Sequence, residues 1–431
     1  MQRMPPAPDS SLAPAPGTLS TRTLVLASLG GALEFYDFIV YGIFAASIGA
    51  EFFPASDPLV SLILSFSVFA VGYLARPLGG LVLGSLGDRA GRRMVFLRSL
   101  GAISVVTLAI GLLPGYATFG VLAPVLLVLL RLLQGFCLGG ELPGAIVYVA
   151  ETAGRRRGFG GGVLFACVNA GVLAATLVSL GLHTWLNASS LALYGWRIAF
   201  GLGGVAGLLG LLLRRQLGET PAFAAIRATH ARLPLAELLR GHGRAVTVGV
   251  LACAVVAGFN GLLFAHLPAH LVRVLHVDPA RAAWAQTICL LVTSAAMVGV
   301  GWLGDRMPRR WLLRAGSALM ALGGIGFYAA IARPDAKLSG LFALAGLAAA
   351  LANGSFAAIL GDLFLTRVRF SGVALSLNIG FTLFSGLAPL AATSLTRATG
   401  WDAAPGLFLA GCGALSFAAS LLLPKAGVSA R

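Results

Sequence analysis

The sequence has little charge. Asp, Glu, Lys and Arg together make up 11% of its 431 residues, and only 15 residues are acidic. A soluble globular domain carries about 25% charged residues, and so few charges cannot cover the hydrophobic residues, which form 58% of this chain. The deficit excludes an ordinary water-exposed fold, so lipid is the expected solvent for most of the surface.

Cysteine is scarce as well, and the patterns of a metal or catalytic centre are lacking. The five cysteines lie inside apolar segments without close pairing, so we interpret them as small hydrophobic residues and not as a disulfide framework. No Cys/His cluster has the spacing of metal ligands, and neither a clustered nucleophile nor a large catalytic loop is present. We therefore expect no metal, no cofactor and no enzymatic activity.

What the sequence does contain is a series of long apolar segments. At about 20 residues per span, the chain has room for about twelve transmembrane segments, and each should be a helix because backbone polar groups in lipid need partners within their own segment. The predicted spans cover residues 23–47, 59–86, 94–113, 120–150, 159–182, 194–213, 245–271, 282–303, 311–331, 339–363, 372–394 and 403–423. The predicted fold class is therefore an all-α membrane protein.

The placement of the basic residues predicts the orientation. The formal net charge is +16, but the Lys and Arg residues form short clusters between apolar segments and no continuous face, which argues against nucleic acid as a partner. Most lie in loops on one side of the predicted membrane, and this asymmetry indicates the cytoplasmic side. Residues 1–22 are rich in Pro, Ala and Ser, lack the apolar core of a secretory signal and are expected to form a disordered cytoplasmic tail. Residues 424–431 are expected to form a second cytoplasmic tail.

An internal repeat divides the chain into two halves. The segment from Gly87 to Arg93, Gly-Asp-Arg-Ala-Gly-Arg-Arg, recurs from Gly304 to Arg310 as Gly-Asp-Arg-Met-Pro-Arg-Arg. We predict two six-helix bundles, 23–213 and 245–423, with a cytoplasmic linker at 214–244, since parallel repeats are a known transporter architecture. The repeated residues are expected to form a gate by capping or pairing at helix ends, although the arginines could instead only set the topology. The gate residues are Asp88, Arg89, Arg92, Arg93, Asp305, Arg306, Arg309 and Arg310. Pro308 should make the second copy the weaker one.

A few ionisable side chains fall inside the predicted spans. A charge at bilayer depth costs roughly 2.5–3.5 kcal/mol, so we predict that Asp37, Glu34 and Arg131 form a site that handles protons. Glu141 lies about 15 Å further along the helix of Arg131, so it cannot share that site and could be a second proton relay. Asp37 and Glu34 lie three residues apart on one helix, and two such carboxylates resist ionising together, so one could load and release a proton. Arg131 could pair with either carboxylate, and Arg76 could form a structural ion pair with Glu34 or Glu141. Alternatively, Glu34 is a permanent ion-pair partner of a residue in span four, Asp37 is merely hydrated, and Glu141 is a helix-end charge.

Aromatic, amide and arginine side chains in the spans are candidates for substrate contact. Arginine binds carboxylates in a bidentate manner, whereas an amide in a membrane span often only bridges two helices. The candidates are Tyr36, Arg131, Gln134, Asn260, Asn353 and Asn378. His266 and His270, four residues apart in span seven, could titrate or only line an external vestibule.

These motifs resemble a known family. The repeated Gly-Asp-Arg loop is similar to the signature of the major facilitator superfamily. Finer motifs resemble its metabolite:proton symporter family, in the order Glu34–Phe38 (EFYDF), Ala75–Gly80 (ARPLGG), Arg131–Glu141 (RLLQGFCLGGE) and Asn378–Phe381 (NIGF). The resemblance implies the superfamily's fold and proton-coupled import of a small polar metabolite by alternating access. The substrates it implies are organic acids, such as dicarboxylates, tricarboxylates and shikimate-like acids, and osmolytes such as proline and betaine. We expect an organic acid.

Two other functions remain open at this point. An exporter of a siderophore or toxic metabolite would use the same fold, and a non-transporting membrane sensor would retain the spans without a transport cycle. Drug/proton antiporters of the superfamily usually carry a Gly-Pro motif in span five, and its absence from Asn169–Val172 (NAGV) favours import. We expect a monomer in the bacterial inner membrane, with a small-molecule substrate, protons and the lipid bilayer as its partners and the proton as coupling ion.

Overall fold

The computed structural model describes residues 21–56, 58–226 and 234–424. Within these ranges the chain is helical and contains no β-strand. Twelve helices are long and apolar enough to cross a membrane, which confirms the predicted all-α class and number of spans. Most of the two predicted tails, and residues 227–233 of the predicted linker, lie outside the described residues.

The membrane helices are numbered α1 to α12 along the chain. The first six are α1 (Arg22–Ile43), α2 (Ile63–Ala90), α3 (Arg92–Leu112), α4 (Leu122–Thr152), α5 (Gly154–Trp185) and α6 (Ala188–Arg214). The last six are α7 (Gly243–His266), α8 (Pro279–Leu303), α9 (Arg309–Ile331), α10 (Leu338–Asp362), α11 (Thr366–Thr399) and α12 (Pro405–Leu422). The predicted ends differ from these by a few residues. The most important difference concerns Arg214, which was predicted to be the first residue of the linker and is instead the last residue of α6.

Shorter helices lie between the membrane helices. Two follow α1 and α3, at Ala45–Phe52 and Tyr116–Phe119, and two lie between α6 and α7, at Pro221–Ile226 and Pro234–Gly241. The linker between the halves is therefore partly helical.

The packing of the helices repeats between the halves. In the first half α1 packs on α5, α2 on α4 and α3 on α6; in the second half α7 packs on α11, α8 on α10 and α9 on α12. The two bundles meet through α2 against α11 and through α5 against α8, which are again related pairs. This confirms the prediction of two pseudo-symmetric six-helix bundles. We call the contact surface between them the seam.

Glycine lets some helices touch backbone to backbone. A Cβ atom on Gly79 would lie 1.8 Å from the carbonyl oxygen of Phe136, and one on Gly135 would lie 2.0 Å from that of Gly72. No side chain fits at such distances, so glycine at these positions is what allows the backbones of α2 and α4 to touch. Small residues permit such close approach between membrane helices.

Large apolar side chains cover the outside of the bundles. Leu322 of α9 is 87% exposed and Leu74 of α2 is 67% exposed. In water such a surface would be an aggregation hazard, whereas in a bilayer it is the lipid-facing side.

Candidate functional site

Asp37 is buried in the middle of the first bundle and is held by neutral hydrogen-bond donors. Its Oδ2 atom accepts a hydrogen bond from the Thr107 hydroxyl of α3 at 2.5 Å and a second from the Gln134 side-chain amide of α4. Its Oδ1 atom is buried and is without a hydrogen-bond partner among the described residues. One oxygen of this carboxyl group therefore remains available to a proton.

Arg131 approaches Asp37 through Gln134 and does not pair with it directly. Its Nη1 atom donates to Gln134 Oε1 at 2.6 Å, and its guanidinium lies 3.9 Å from the ring centre of Tyr41. Its Nε and Nη2 atoms are buried without hydrogen-bond partners in the part of the chain that the structure describes. The direct ion pair that the sequence suggested is replaced by a bridge, because the glutamine one helical turn after Arg131 lies between the two charges.

Glu34 has a separate partner. It forms an ion pair with Arg76 of α2 at 2.6 Å, and both side chains are fully buried. Arg76 Nε also donates to Asn378 Oδ1 of α11 at 3.3 Å, and Asn378 in turn donates to the Gly139 carbonyl of α4 at 2.8 Å. The sequence left two partners open for Glu34, a residue in span four or Arg76 in span two. The structure shows Arg76, and the pair lies at the seam between the halves.

Glu141 is bound to Arg214, which the sequence analysis missed. The two side chains form a buried ion pair, and Ser99 of α3 donates to Glu141 Oε2 at 2.8 Å. Arg214 also donates to the carbonyl of Leu26 of α1 at 2.8 Å. Gly30 leaves room for this pair, since a Cβ atom there would lie 1.6 Å from Glu141 Oε1. Glu141 is thus part of a structural junction of α1, α3, α4 and α6, and does not join the Asp37 site.

Arg214 could have been found from one signal. It follows the apolar run Leu211-Leu212-Leu213 directly, which is typical of the last turn of a membrane helix. Arg214 was predicted to lie in the linker because Arg215 and Glu219 make the segment that follows it hydrophilic.

The other predicted substrate contacts have mostly structural partners. The Tyr36 hydroxyl donates to the Ala199 carbonyl of α6 at 2.9 Å. The Asn353 amide donates to the Ala349 carbonyl of its own helix at 2.9 Å. Asn260 lies half-buried in α7. Of the predicted amides, Gln134 and Asn378 are those that contact the charged clusters.

The first copy of the repeated motif joins the two halves at one end of the helices. Asp88 accepts hydrogen bonds from the backbone N–H groups of Phe370 at 3.1 Å and Ser371 at 2.8 Å, in the first turn of the α-helical part of α11, which begins at Arg369. A helix N-terminus offers unpaired N–H groups and a partial positive charge, so a carboxylate is stabilising there. Arg92 pairs with Asp88 at 2.9 Å.

Further charges complete this cluster. Glu151, at the end of α4, lies 3.4 Å from Arg92 and 3.0 Å from Arg369 of α11. Arg92 also donates to the Thr366 carbonyl at 2.6 Å. We call Asp88, Arg92, Glu151 and Arg369 the first latch. It joins α2, α3 and α4 to α11 across the seam.

The second copy of the motif forms a related cluster. Asp305 accepts hydrogen bonds from the backbone N–H groups of residues 158–159, at 2.7 and 2.9 Å, at the start of the α-helical part of α5. Arg309 lies 3.1 Å from Asp305 and 2.6 Å from Asp362, and Arg157 lies 2.8 Å from Asp362. These four side chains, Asp305, Arg309, Asp362 and Arg157, are the second latch.

The two latches differ in burial. The side chains of the first latch are 0–4% exposed, whereas those of the second are 12–25% exposed. Charge–charge contacts are less screened when buried. The expectation that the second copy is the weaker agrees with this difference, although the evidence is its solvent exposure and not the shape of Pro308.

The start of the linker closes over the first latch. Glu219 accepts hydrogen bonds from the backbone N–H groups of Arg92 at 3.1 Å and Arg93 at 3.3 Å. The Thr220 hydroxyl donates to Glu151 Oε2 at 2.5 Å. The linker is therefore a structural part of the latch and more than a solvated connector.

The remaining motif arginines lie at the rim of the latches. Arg93 donates to backbone carbonyls that follow α6, at 2.6 and 2.9 Å. Arg306 lies 3.5 Å from the ring centre of Trp302. Arg89 is exposed and Arg310 half-buried. All four place positive charge at the same end of the helices.

Comparison with known proteins identifies the family. Residues 23–233 match the profile of the family described as "Sugar (and other) transporter", and residues 249–430 match that of the "Major Facilitator Superfamily". The proline/betaine transporter of Salmonella typhimurium is 34% identical over 407 residues, which cover 88% of this chain and 78% of that protein. The glycine betaine/proline/ectoine/pipecolic acid transporter OusA of Dickeya dadantii is 32% identical over 405 residues, with 88% and 78% covered.

The fold agrees with a solved structure. The proton:xylose symporter XylE bound to 6-bromo-6-deoxy-D-glucose superposes with a TM-score of 0.76 at 19% identity, over 92% of this chain and 94% of that one. The two six-helix bundles, the duplicated latch and these similarities along most of the chain lead to one conclusion. As the sequence motifs predicted, the chain belongs to the major facilitator superfamily and is a multi-pass membrane transporter.

Proposed function

We propose that this transporter imports a small zwitterionic osmolyte of the proline and betaine type together with protons, by alternating access. The observation that carries the proton coupling is Asp37, which is buried, has one oxygen without a partner among the described residues and is held by neutral donors. A carboxyl group in such a place can exist with or without its proton, while a direct ion pair would keep it ionised.

The glutamine bridge supports the same role. Arg131 is one hydrogen bond away from Gln134, and Gln134 is one hydrogen bond away from Asp37. A proton that neutralises Asp37 therefore leaves a buried arginine without its nearby negative charge, which is costly in a low dielectric. Protonation would in this way favour a rearrangement around Arg131.

The relatives support an osmolyte more than the organic acid expected from the sequence. Two proteins related along most of this chain are named as transporters of proline and glycine betaine. Both compounds carry a carboxylate and a positively charged nitrogen, so they enter a membrane site without net charge.

The orientation belongs to the proposal as well. Arg89, Arg93, Arg306 and Arg310 surround the latches, and basic residues concentrate in cytoplasmic loops. We infer that the latches and both chain termini are cytoplasmic. Because both latches are formed, we infer that the described conformation is closed on the cytoplasmic side.

The test is uptake by purified protein in liposomes. We expect labelled glycine betaine or proline to accumulate when an inward proton gradient is imposed, and a protonophore to abolish the accumulation. Asp37→Asn should lose gradient-driven accumulation but keep exchange of internal for external substrate, because exchange needs no net proton movement. Accumulation that ignores the protonophore would contradict proton symport.

A further inference from the structure

The contact between Glu34 and Arg76 is an incomplete ion pair. The two side chains meet at 2.6 Å and are 0% and 1% exposed. The contact joins Arg76 Nη2 to Glu34 Oε1, and the second oxygen, Oε2, is buried without a hydrogen-bond partner in the described part of the chain. A buried ion pair contributes little unless its remaining donors and acceptors are satisfied, so structure alone does not account for this pair.

Aromatic rings surround the positive member of the pair. The guanidinium carbon of Arg76 lies 5.5 Å from the ring centre of Tyr73 and 5.8 Å from that of Phe38. These two rings lie 4.7 Å apart, centre to centre. Faces of aromatic rings attract cations, and aromatic cages are used to bind quaternary ammonium groups. Phe38 also lies one helical turn after Glu34 in α1, so the carboxylate and the rings face the same space.

The pair lies where the two halves separate. Arg76 is hydrogen-bonded to Asn378 of α11, and the Thr382 hydroxyl, also of α11, donates to the Tyr73 carbonyl at 3.3 Å. In the alternating access proposed above, movement of one half against the other would break these contacts and open the pair to substrate.

We propose that Glu34, Arg76, Phe38 and Tyr73 form the substrate site, in which a zwitterion takes the place of the internal ion pair. The substrate carboxylate binds Arg76, and its alkylated ammonium group binds between Glu34 and the two rings. This inference rests on the proposed function and specifies its substrate class and site.

The charge balance selects the substrate class. A zwitterion replaces one ion pair by two and adds no net charge to a buried site. A dicarboxylate would add two negative charges beside Glu34 and leave them without a matching cation. Alkyl groups on the nitrogen favour the rings further, because they weaken hydration of the cation without removing its charge.

The sharpest test compares glycine betaine with tert-butylacetate, the isostere in which carbon replaces nitrogen. Their binding to the purified full chain is measured by calorimetry. The wild type should prefer glycine betaine by about tenfold or more. Glu34→Gln should reverse this preference, because Arg76 then lacks its counter-ion and the ammonium lacks its carboxylate. Glu51→Gln is the matched control, since Glu51 pairs with Arg197 outside the seam at 2.9 Å, and it should keep the wild-type preference.

A second series tests the rings. Binding of glycine, its monomethyl and dimethyl derivatives and glycine betaine should strengthen with methylation in the wild type, and Phe38→Leu and Tyr73→Leu should flatten the series. Phe66 is an exposed residue of α2, the helix of Tyr73, and Phe66→Leu should leave the methylation series unchanged.

The outcomes separate the two proposals. If Glu34→Gln binds both compounds with the wild-type preference, the site is wrong while osmolyte transport stands. If the wild type instead takes up a dicarboxylate with protons and binds no zwitterion, both the proposed substrate class and the proposed site are wrong.

Discussion

The Asp88 carboxylate of the first half accepts a 2.8 Å hydrogen bond from the backbone N–H group of Ser371 in the second half. Asp305 makes the equivalent contact in the opposite direction, from the second half to the start of α5 in the first. Each half therefore caps a helix of the other, and the two caps close the same end of the seam.

Removing one cap should loosen that end at a defined place. Asp88→Asn is expected to raise the hydrogen-exchange rate of the Phe370 and Ser371 amides by about tenfold or more, since a hydrogen bond to a charged group contributes about 1.5–3 kcal/mol. Asp305→Asn is the matched control and should act on residues 158–159 instead, with a smaller effect because its latch is more exposed. Mass spectrometry of exchanged peptides measures both. Equal exchange at Phe370 and Ser371 in wild type and Asp88→Asn would refute the cap.

The glutamine bridge should be needed for coupling. Gln134→Ala removes the group that joins Asp37 and Arg131, so proton-driven uptake in liposomes should fall by about tenfold or more, on the scale of losing a charge-assisted hydrogen bond. Asn353→Ala removes an amide that donates to the Ala349 carbonyl of its own helix and should have a much smaller effect. The reverse order of the two effects would show that Asn353, and not Gln134, belongs to the site.

The buried pair of Glu141 and Arg214 should behave as a unit. Arg214→Gln leaves a buried carboxylate without its partner, which costs about 3–5 kcal/mol in comparable cases, and should lower the unfolding temperature markedly. The double variant with Glu141→Gln should recover part of the loss. The partly exposed pair of Glu51 and Arg197 provides the comparison, because breaking it should cost about 1 kcal/mol or less. Thermal unfolding of the purified protein measures all of these, and a double variant no more stable than Arg214→Gln would argue against mutual stabilisation.

The glycine contacts predict where a single methyl group is not tolerated. Gly135→Ala would bring Cβ to 2.0 Å from the Gly72 carbonyl oxygen, so α2 and α4 must separate, and the yield of folded protein and its unfolding temperature should drop. Gly323→Ala, in α9, has nothing within 4 Å of the added atom and should be neutral or slightly stabilising, because alanine favours helix by about 1 kcal/mol over glycine. A stable Gly135→Ala protein would mean that the two helices can move apart at little cost.

Much of the fold follows from the sequence because lipid imposes simple rules. Segment length and hydropathy predict the twelve helices, and the recurrence of the motif at Asp88 and Asp305 predicts two related halves. The same recurrence locates both latches, because a short polar motif between apolar segments is conspicuous. The Glu151 and Asp362 members of the latches lie outside that motif, and their roles emerge only from the packing of helix ends.

The site was less predictable because it depends on which helices are neighbours. Asp37 and Glu34 are three residues apart in the sequence, but Asp37 contacts α3 and α4 whereas Glu34 contacts α2. Their spacing in the sequence predicted that the two carboxylates act as a pair. In the structure each carboxylate has its own partners. Arg76 was an open partner for both Glu34 and Glu141, and Arg214 was expected in the linker. Tertiary packing pairs Arg76 with Glu34 and Arg214 with Glu141.

The contact of α2 and α4 through Gly79 and Gly135 has a mechanical consequence. Because the backbones of α2 and α4 touch, neither helix can slide or tilt without moving the other. A displacement of one helix at one end is therefore transmitted to the other end of the pair. Arg76 and Gln134, near the middle of α2 and α4, and Asp88 and Glu151, in the first latch at their ends, all lie on these two helices. Under the proton coupling proposed above, a rearrangement at Asp37 would be transmitted along these two helices to the first latch.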